Sequence, residues 1–252
     1  DNVVPTITCP AAVAATTNSG CTATGVALGT PVTADNCGVA SVTNNAPGAF
    51  PIGVTNVTWT VTDNSGNTAT CTQTVTVTDN VVPTITCPAN VAATTNSGCT
   101  ATGVALGTPV TADNCGVASV TNNAPGAFPI GVTNVTWTVT DNSGNTATCT
   151  QTVTVTDNIV PSITCPAAVA TTTNSGCTAT GVALGTPVTA DNCGVASVVN
   201  NAPVAFPIGV TTVTWTVTDN SGNTATCTQT VTVTDNVVPT ITCPAAVAAT
   251  TN

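Results

Sequence analysis

The sequence predicts an all-β chain, a tandem row of small β-sandwiches that are each stapled by disulfides. The block Asp1-Asn2-Val3-Val4-Pro5 recurs from Asp79 and from Asp235, and with Ile159 in the third place from Asp157, a step of 78 residues. Within each step, large apolar residues alternate with threonine, the period of a half-buried strand. Four cysteines stand at the same places in every complete step.

The period sets the domain limits. Residues 1–78, 79–156 and 157–234 form three repeats, and 235–252 begin a fourth. The first two differ only at Ala12 and Asn90. The third departs from the first at Ile159, Ser162, Thr171, Val199, Val204 and Thr212. Near-identity over this length points to duplication within a longer array, so the chain is expected to be a piece of a larger protein. Each repeat has its own core, and the proline after an extended linker adds stiffness. An extended rod follows, at roughly 35 Å per domain and about 100 Å for three.

Each element has a local reason. Thr6-Ile7-Thr8-Cys9 alternates as a strand. Ala23–Leu28 and Val39–Val42 are further strands, bounded by glycine and proline. Phe50, ahead of Pro51-Ile52-Gly53, plugs the core near a turn. Val57-Thr58-Trp59-Thr60-Val61-Thr62 and Thr68–Thr78 alternate on either side of Asp63-Asn64-Ser65-Gly66-Asn67. That composition makes a turn, and the two runs make a long antiparallel hairpin. Trp59, Trp137 and Trp215 are the largest core side chains. Gln73 lies at apolar parity between Cys71 and Val75; either a bulge turns it outward or it is buried with hydrogen bonds. Short strands at regular spacing in a unit of this size read as an immunoglobulin-like sandwich.

Composition narrows function. The chain has no Lys, Arg or His, and its ten acidic residues, all Asp, give a formal charge of −10. Without cations it has nothing to bind phosphates, which argues against nucleic acid and against an anionic membrane surface. No apolar run approaches the ~20 residues of a membrane span. No Ser, Thr or Cys nucleophile has a basic partner, so no catalytic residue is expected and the chain reads as non-enzymatic.

The cysteines fall at Cys9, Cys21, Cys37 and Cys71, at Cys87, Cys99, Cys115 and Cys149, and at Cys165, Cys177, Cys193 and Cys227, with Cys243 left over. Fixed spacing in a chain poor in reactive groups reads as a disulfide framework; metal binding by cysteine lacks both CxxC and His. Cys9 and Cys71 sit level on strands expected to run side by side. A Cys71–Cys87 bond would have to span roughly 50 Å of extended chain. The expected pairs are therefore Cys9–Cys71, Cys87–Cys149 and Cys165–Cys227, leaving Cys21–Cys37, Cys99–Cys115 and Cys177–Cys193. Cys243 is expected to be unpaired.

Calcium is the one metal the residues suggest, since hard cations take clustered carboxylate and carbonyl oxygens. The linker Asp79 and the hairpin-turn Asp141 are expected at the same end of the second sandwich, joined by Asp113. Asp157, Asp219 and Asp191 repeat the set, and Asn80, Asn142 and Asn145 offer further oxygens. The competing reading is that these residues serve turns and strand ends, and no DxDxDG loop is present. Outward threonines suit strand propensity rather than ice or ligand binding. Asn56-Val57-Thr58 and Asn134-Val135-Thr136 match the glycosylation pattern, which Thr212 removes from the third repeat.

Five motifs in order, Ile7-Thr8-Cys9-Pro10, Asp35-Asn36-Cys37-Gly38, Phe50-Pro51-Ile52-Gly53, Val61–Asn67 and Cys71-Thr72-Gln73-Thr74-Val75, resemble the hyalin repeat (HYR) module in all three repeats. Cys21 and Cys37 look like the additions of the bacterial version, found in very large surface proteins of Bacteroidota. Among these are gliding-motility adhesins exported by type 9 secretion. The resemblance implies an immunoglobulin-like fold, the first-to-last-strand disulfide and an extracellular role in adhesion; it supplies no catalytic residues. Gln73 departs from the animal pattern, where an aromatic is common. Two functions fit. One is a stalk projecting an adhesive tip, its partners being neighbouring repeats and, through other regions, a surface polysaccharide or substratum. The other is a module whose repeats hold a glycan by avidity.

Overall fold

A computed structural model describes residues 1–249 and is all β. The last three residues of the 235–252 segment lie outside it. Eight strands form each repeat. In the first they are β1 (Thr6–Thr8), β2 (Val13–Thr16), β3 (Thr22–Thr24), β4 (Val32–Ala34), β5 (Val39–Asn44), β6 (Ala49–Pro51), β7 (Gly53–Asp63) and β8 (Thr68–Thr78). The same strands recur 78 and 156 residues later. Contacts divide the chain into two units. One comprises Asp1–Val91, Ala105–Gly126 and Thr133–Val153; the other comprises Ala92–Val104, Ala127–Val132 and Thr154–Asn252.

In the first unit, the alternating hairpin β7–β8 pairs Val57 with Gln73 and Trp59 with Cys71. It is the centre of a four-stranded sheet ordered β2-β8-β7-β5. β2 runs parallel to β8, Val13 opposite Val75. β5 joins β7 with a bulge between Val39 and Ser41. The short antiparallel pairs β1–β4 and β3–β6 supply the other layer. Ala23, Phe50, Val57, Trp59, Val75 and Val77 are buried in the core, with Ile7, Cys9 and Cys71 packed against them. Each Val or Phe so buried contributes about 1.5–3 kcal/mol. In the second unit, Ala179, Phe206, Val213, Trp215, Val231 and Val233 build the equivalent core.

The Ala23–Leu28 strand is shorter than expected. Gly25 takes φ +66°, outside the extended region, and pairing stops at Thr24. β2, β4 and β6 have three or four residues each, too few for a periodic signal. The parallel neighbour of β8 is β2 rather than the strand that leads to Cys9. Cys9 instead follows β1, in the opposite layer, and bonds to Cys71 on β8 across the core. Cys87–Cys149 and Cys165–Cys227 repeat this bond, with Cα separations of 5.7 and 5.8 Å.

Gln73 is 2% exposed and takes the buried alternative. Its Oε1 accepts from Trp59 Nε1 at 2.9 Å, and its Nε2 donates to Ala11 O at 2.7 Å and Leu28 O at 2.8 Å. One amide thus satisfies the indole and two carbonyls of segments between the strands. Gln229 does the same for Trp215, Ala167 and Leu184. Gln229→Leu keeps the volume but strands those three partners. It is expected to cost about 2 kcal/mol, read as a lower urea midpoint at unchanged m value.

Candidate metal centre at the repeat junctions

Three local structures converge at each junction. In the turn between the long strands, Asp141 Oδ1 accepts the backbone N–H groups of Ser143 at 2.9 Å and Asn145 at 2.7 Å. Its Oδ2 accepts from Asn145 Nδ2 at 2.8 Å. An aspartate that bonds the backbone two residues on is a turn former, which explains its place in the sequence. In the Asp-Asn-Cys-Gly loop, Asp113 Oδ2 accepts the N–H of Cys115 at 2.7 Å. Asn142 Nδ2 donates to Cys115 O at 2.8 Å, tying that loop to the turn. Gly116, at φ +92°, leaves only 3.0 Å between an added Cβ and Asn142 Nδ2. In the linker, Asp79 Oδ1 accepts from Thr17 Oγ1 at 2.9 Å, Val81 N–H at 3.1 Å and Asn114 Nδ2 at 3.3 Å.

Asp79, Asp113 and Asp141 are thereby gathered, one carboxylate oxygen from each lying within 4.8 Å of the others. Asp157, Asp191 and Asp219 form the same group in the second unit. Asp1, Asp35 and Asp63 form a third at the start of the first repeat. This third group was not among the sequence candidates, although subtracting 78 from Asp79, Asp113 and Asp141 would have found it. Asn142 and Asn145 make their bonds through Nδ2, as braces rather than through their oxygens. Thr17, Thr95, Asn114 and Asn192 also brace Asp79 and Asp157. No sequence pattern marks them, because their partners lie 35 to 62 residues away.

The clusters are charged and short of partners. Burial works to raise Asp79 and Asp157. Hydrogen bonds from the N–H groups of Val81 and Ile159, and from Thr17, Asn114, Thr95 and Asn192, outweigh it and hold both below the usual carboxylate value. The Asn67 side chain lowers Asp63, and bonds from Asn223, Ser221 and Gly222 outweigh burial at Asp219. Asp35 Oδ1, Asp113 Oδ1 and Asp191 Oδ1 are buried and accept no hydrogen bond. With no Lys, Arg or His in the sequence, no side chain can neutralise these groups. Clustered carboxylates with an unpartnered buried oxygen are a donor set that a hard divalent cation fits.

The second set of cysteines departs from expectation. Cys21, Cys37, Cys99, Cys115, Cys177 and Cys193 carry no disulfide in this structure, and Cys21–Cys37, Cys99–Cys115 and Cys177–Cys193 are not formed. Cys21 follows Thr17, whose N–H bonds to Thr78 O at the end of β8. Cys37 lies at the opposite end of the repeat, where its carbonyl accepts from Asn64 in the hairpin turn. The 11-residue strands between those ends span roughly 35 Å, far beyond disulfide reach. Cys21 instead lies against Asn114, the residue before Cys115. Its Sγ lies 3.6 Å from Asn114 O, and Asn114 Nδ2 donates to Gly20 O at 3.1 Å. Burial pushes the Cys115 thiol up to about 12, aided by hydrogen bonds to Cys21 and Asp79. Cys243 is free and exposed.

Comparison with protein families matches residues 1–77, 78–155 and 156–233 to the HYR domain. Among characterised proteins, the chain is 36% identical over 241 residues to hyalin of Strongylocentrotus purpuratus, covering 89% of this chain and 20% of that protein. It is 34% identical over 138 residues to hyalin of Lytechinus variegatus, covering 49% and 25%. It thus spans a quarter or less of either relative. Among solved structures, mouse cadherin-23 EC22-24 aligns with TM-score 0.35 at 12% identity, covering 92% of this chain and 99% of that one.

Proposed function

We propose, from the premise that this chain belongs to the HYR domain family, that it is a non-enzymatic stalk segment of a secreted cell-surface adhesin. Calcium at its repeat junctions would hold that stalk stiff. The observation that carries this reading is the recurrence of three carboxylates within 4.8 Å in a chain without a cationic side chain. Asp79 comes from the linker, while Asp113 and Asp141 come from two loops of the following repeat. A cation held by all three would remove the freedom of the linker to swing. Asp157, Asp191 and Asp219 would act alike. The family supports an extracellular adhesive setting. The more specific role in a bacterial gliding adhesin rests on Cys21 and Cys37, the positions that resemble the bacterial repeats.

The rival reading is that the repeats themselves bind a glycan. It lacks a stacking face, because Trp59, Trp137 and Trp215 are each 7% exposed and Trp59 and Trp215 are committed to glutamine. Two measurements on the purified protein separate the readings. Scattering with and without chelator should show a shorter, more variable end-to-end distance once calcium is removed. A glycan array should show no binding by the repeats. Chelator-independent dimensions together with glycan binding would replace the stalk by the binding module.

A further inference from the structure

Cys21 and Cys115 belong to different repeats, 94 residues apart, yet their backbones are clamped together. Asn114 Nδ2 donates to Gly20 O at 3.1 Å and to Cys115 Sγ at 3.2 Å, while Asn114 O faces Cys21 Sγ at 3.6 Å. In the second unit, Asn192 Nδ2 donates to Gly98 O at 3.1 Å and to Cys193 Sγ at 3.2 Å, and Asn192 O faces Cys99 Sγ at 3.7 Å. Asn114 thus touches both sulfurs of the first pair, and Asn192 both sulfurs of the second. Exposure follows the same rule. Cys115 and Cys193, each facing a preceding repeat, are half-buried, whereas Cys37, at the same place in the first repeat, is exposed.

We infer that each repeat is covalently bonded to the next through Cys21–Cys115 and Cys99–Cys193, a disulfide that crosses the junction. The bond closes where Gly20-Cys21 and Asn114-Cys115 already lie side by side, so little backbone movement is needed to reach bonding distance. The oxidant is the disulfide of a thiol–disulfide oxidoreductase. The exposed Cys99 sulfur attacks it, one sulfur leaves as a thiol, and Cys193 then displaces the other from the mixed disulfide. One S–S bond forms and one breaks, and two electrons and two protons pass to the oxidant as its dithiol. The compartment that oxidised Cys9–Cys71 supplies such chemistry. The same rule gives Cys37 and Cys177 no partner within residues 1–252.

Peptide mapping tests this on the whole chain. Trypsin has no site, but cleavage before aspartate separates the cysteines usefully. The secreted protein is alkylated to trap free thiols, unfolded without reductant and digested. Residues 35–62 and 113–140 are identical in sequence, but 191–218 differ from both and 79–112 differ from 1–34, so the second junction is unambiguous. The expected species joins 79–112 to 191–218 through Cys99 and Cys193, carries 141–156 through Cys87–Cys149, and separates into three peptides on reduction. Joining of 157–190 to 191–218 would mean Cys177–Cys193, and joining of 79–112 to 113–140 would mean Cys99–Cys115. Either result, or alkylated Cys99 and Cys193 in secreted protein, overturns the inference.

Discussion

Calcium added to the chelator-treated protein is expected to raise its melting temperature by roughly 10–20 °C. At a free concentration 100 times the dissociation constant, a ligand bound only by the folded state stabilises by about 2.7 kcal/mol. In a domain of this size, each kcal/mol moves the midpoint by about 4–8 °C. Asp141→Asn keeps the turn but removes one charge from the Asp79–Asp113–Asp141 group. Its calcium-dependent shift should be smaller, with the calcium-free melting temperature lowered only slightly. Acid should abolish the response with a defined sign. Asp79 and Asp157 are held below the ordinary 3.8, so their stabilising contribution is complete above that value and is lost as pH falls through their depressed pKa. The calcium shift should persist at about pH 5 and vanish well below about pH 4. Calorimetry showing no calcium uptake at neutral pH would return all nine aspartates to turn formation.

Loss of the disulfide across the core is expected to have the largest effect on stability. Cys165→Ala with Cys227→Ala opens a link between residues 62 apart. Chain entropy puts the bond at about 4 kcal/mol. A domain of this length has about 4–12 kcal/mol in total, so the third repeat should unfold first and at much lower urea than the wild-type chain. Its alanines leave no unpaired polar group, and Phe206, Trp215 and Val231 remain to pack. The readout is a separate early transition in Trp215 fluorescence, assigned by placing Phe at Trp59 and Trp137. A midpoint shift equivalent to less than about 1 kcal/mol would show that packing holds the two layers without the bond.

Much of the molecule follows from local pattern. The alternation of Val57, Trp59 and Val61 with threonine determines the long hairpin, because a period of two leaves one face to bury. The 78-residue step determines how often each feature recurs. Asp-Asn-Ser-Gly-Asn determines the turn, through backbone bonds that span four residues or fewer. That same turn, with the linker and the Asp-Asn-Cys-Gly loop, was enough to nominate both carboxylate groups.

What the sequence left open depends on contacts distant along the chain. Gln73 sits at core parity, but only the approach of Ala11 O and Leu28 O, from segments distant along the chain, makes a buried amide tolerable there. β2 takes the place beside β8 with four residues, too few to announce a strand. Counting cysteines within one repeat made Cys21 and Cys37 natural partners. Tertiary structure put them at opposite ends of long strands and brought Cys21 to Cys115 of the next repeat. Local periodicity is set by backbone geometry and side-chain burial, both legible over a few residues. Which loops share one end of a sandwich is set by how strands cross between its layers, and that is decided only when the chain folds.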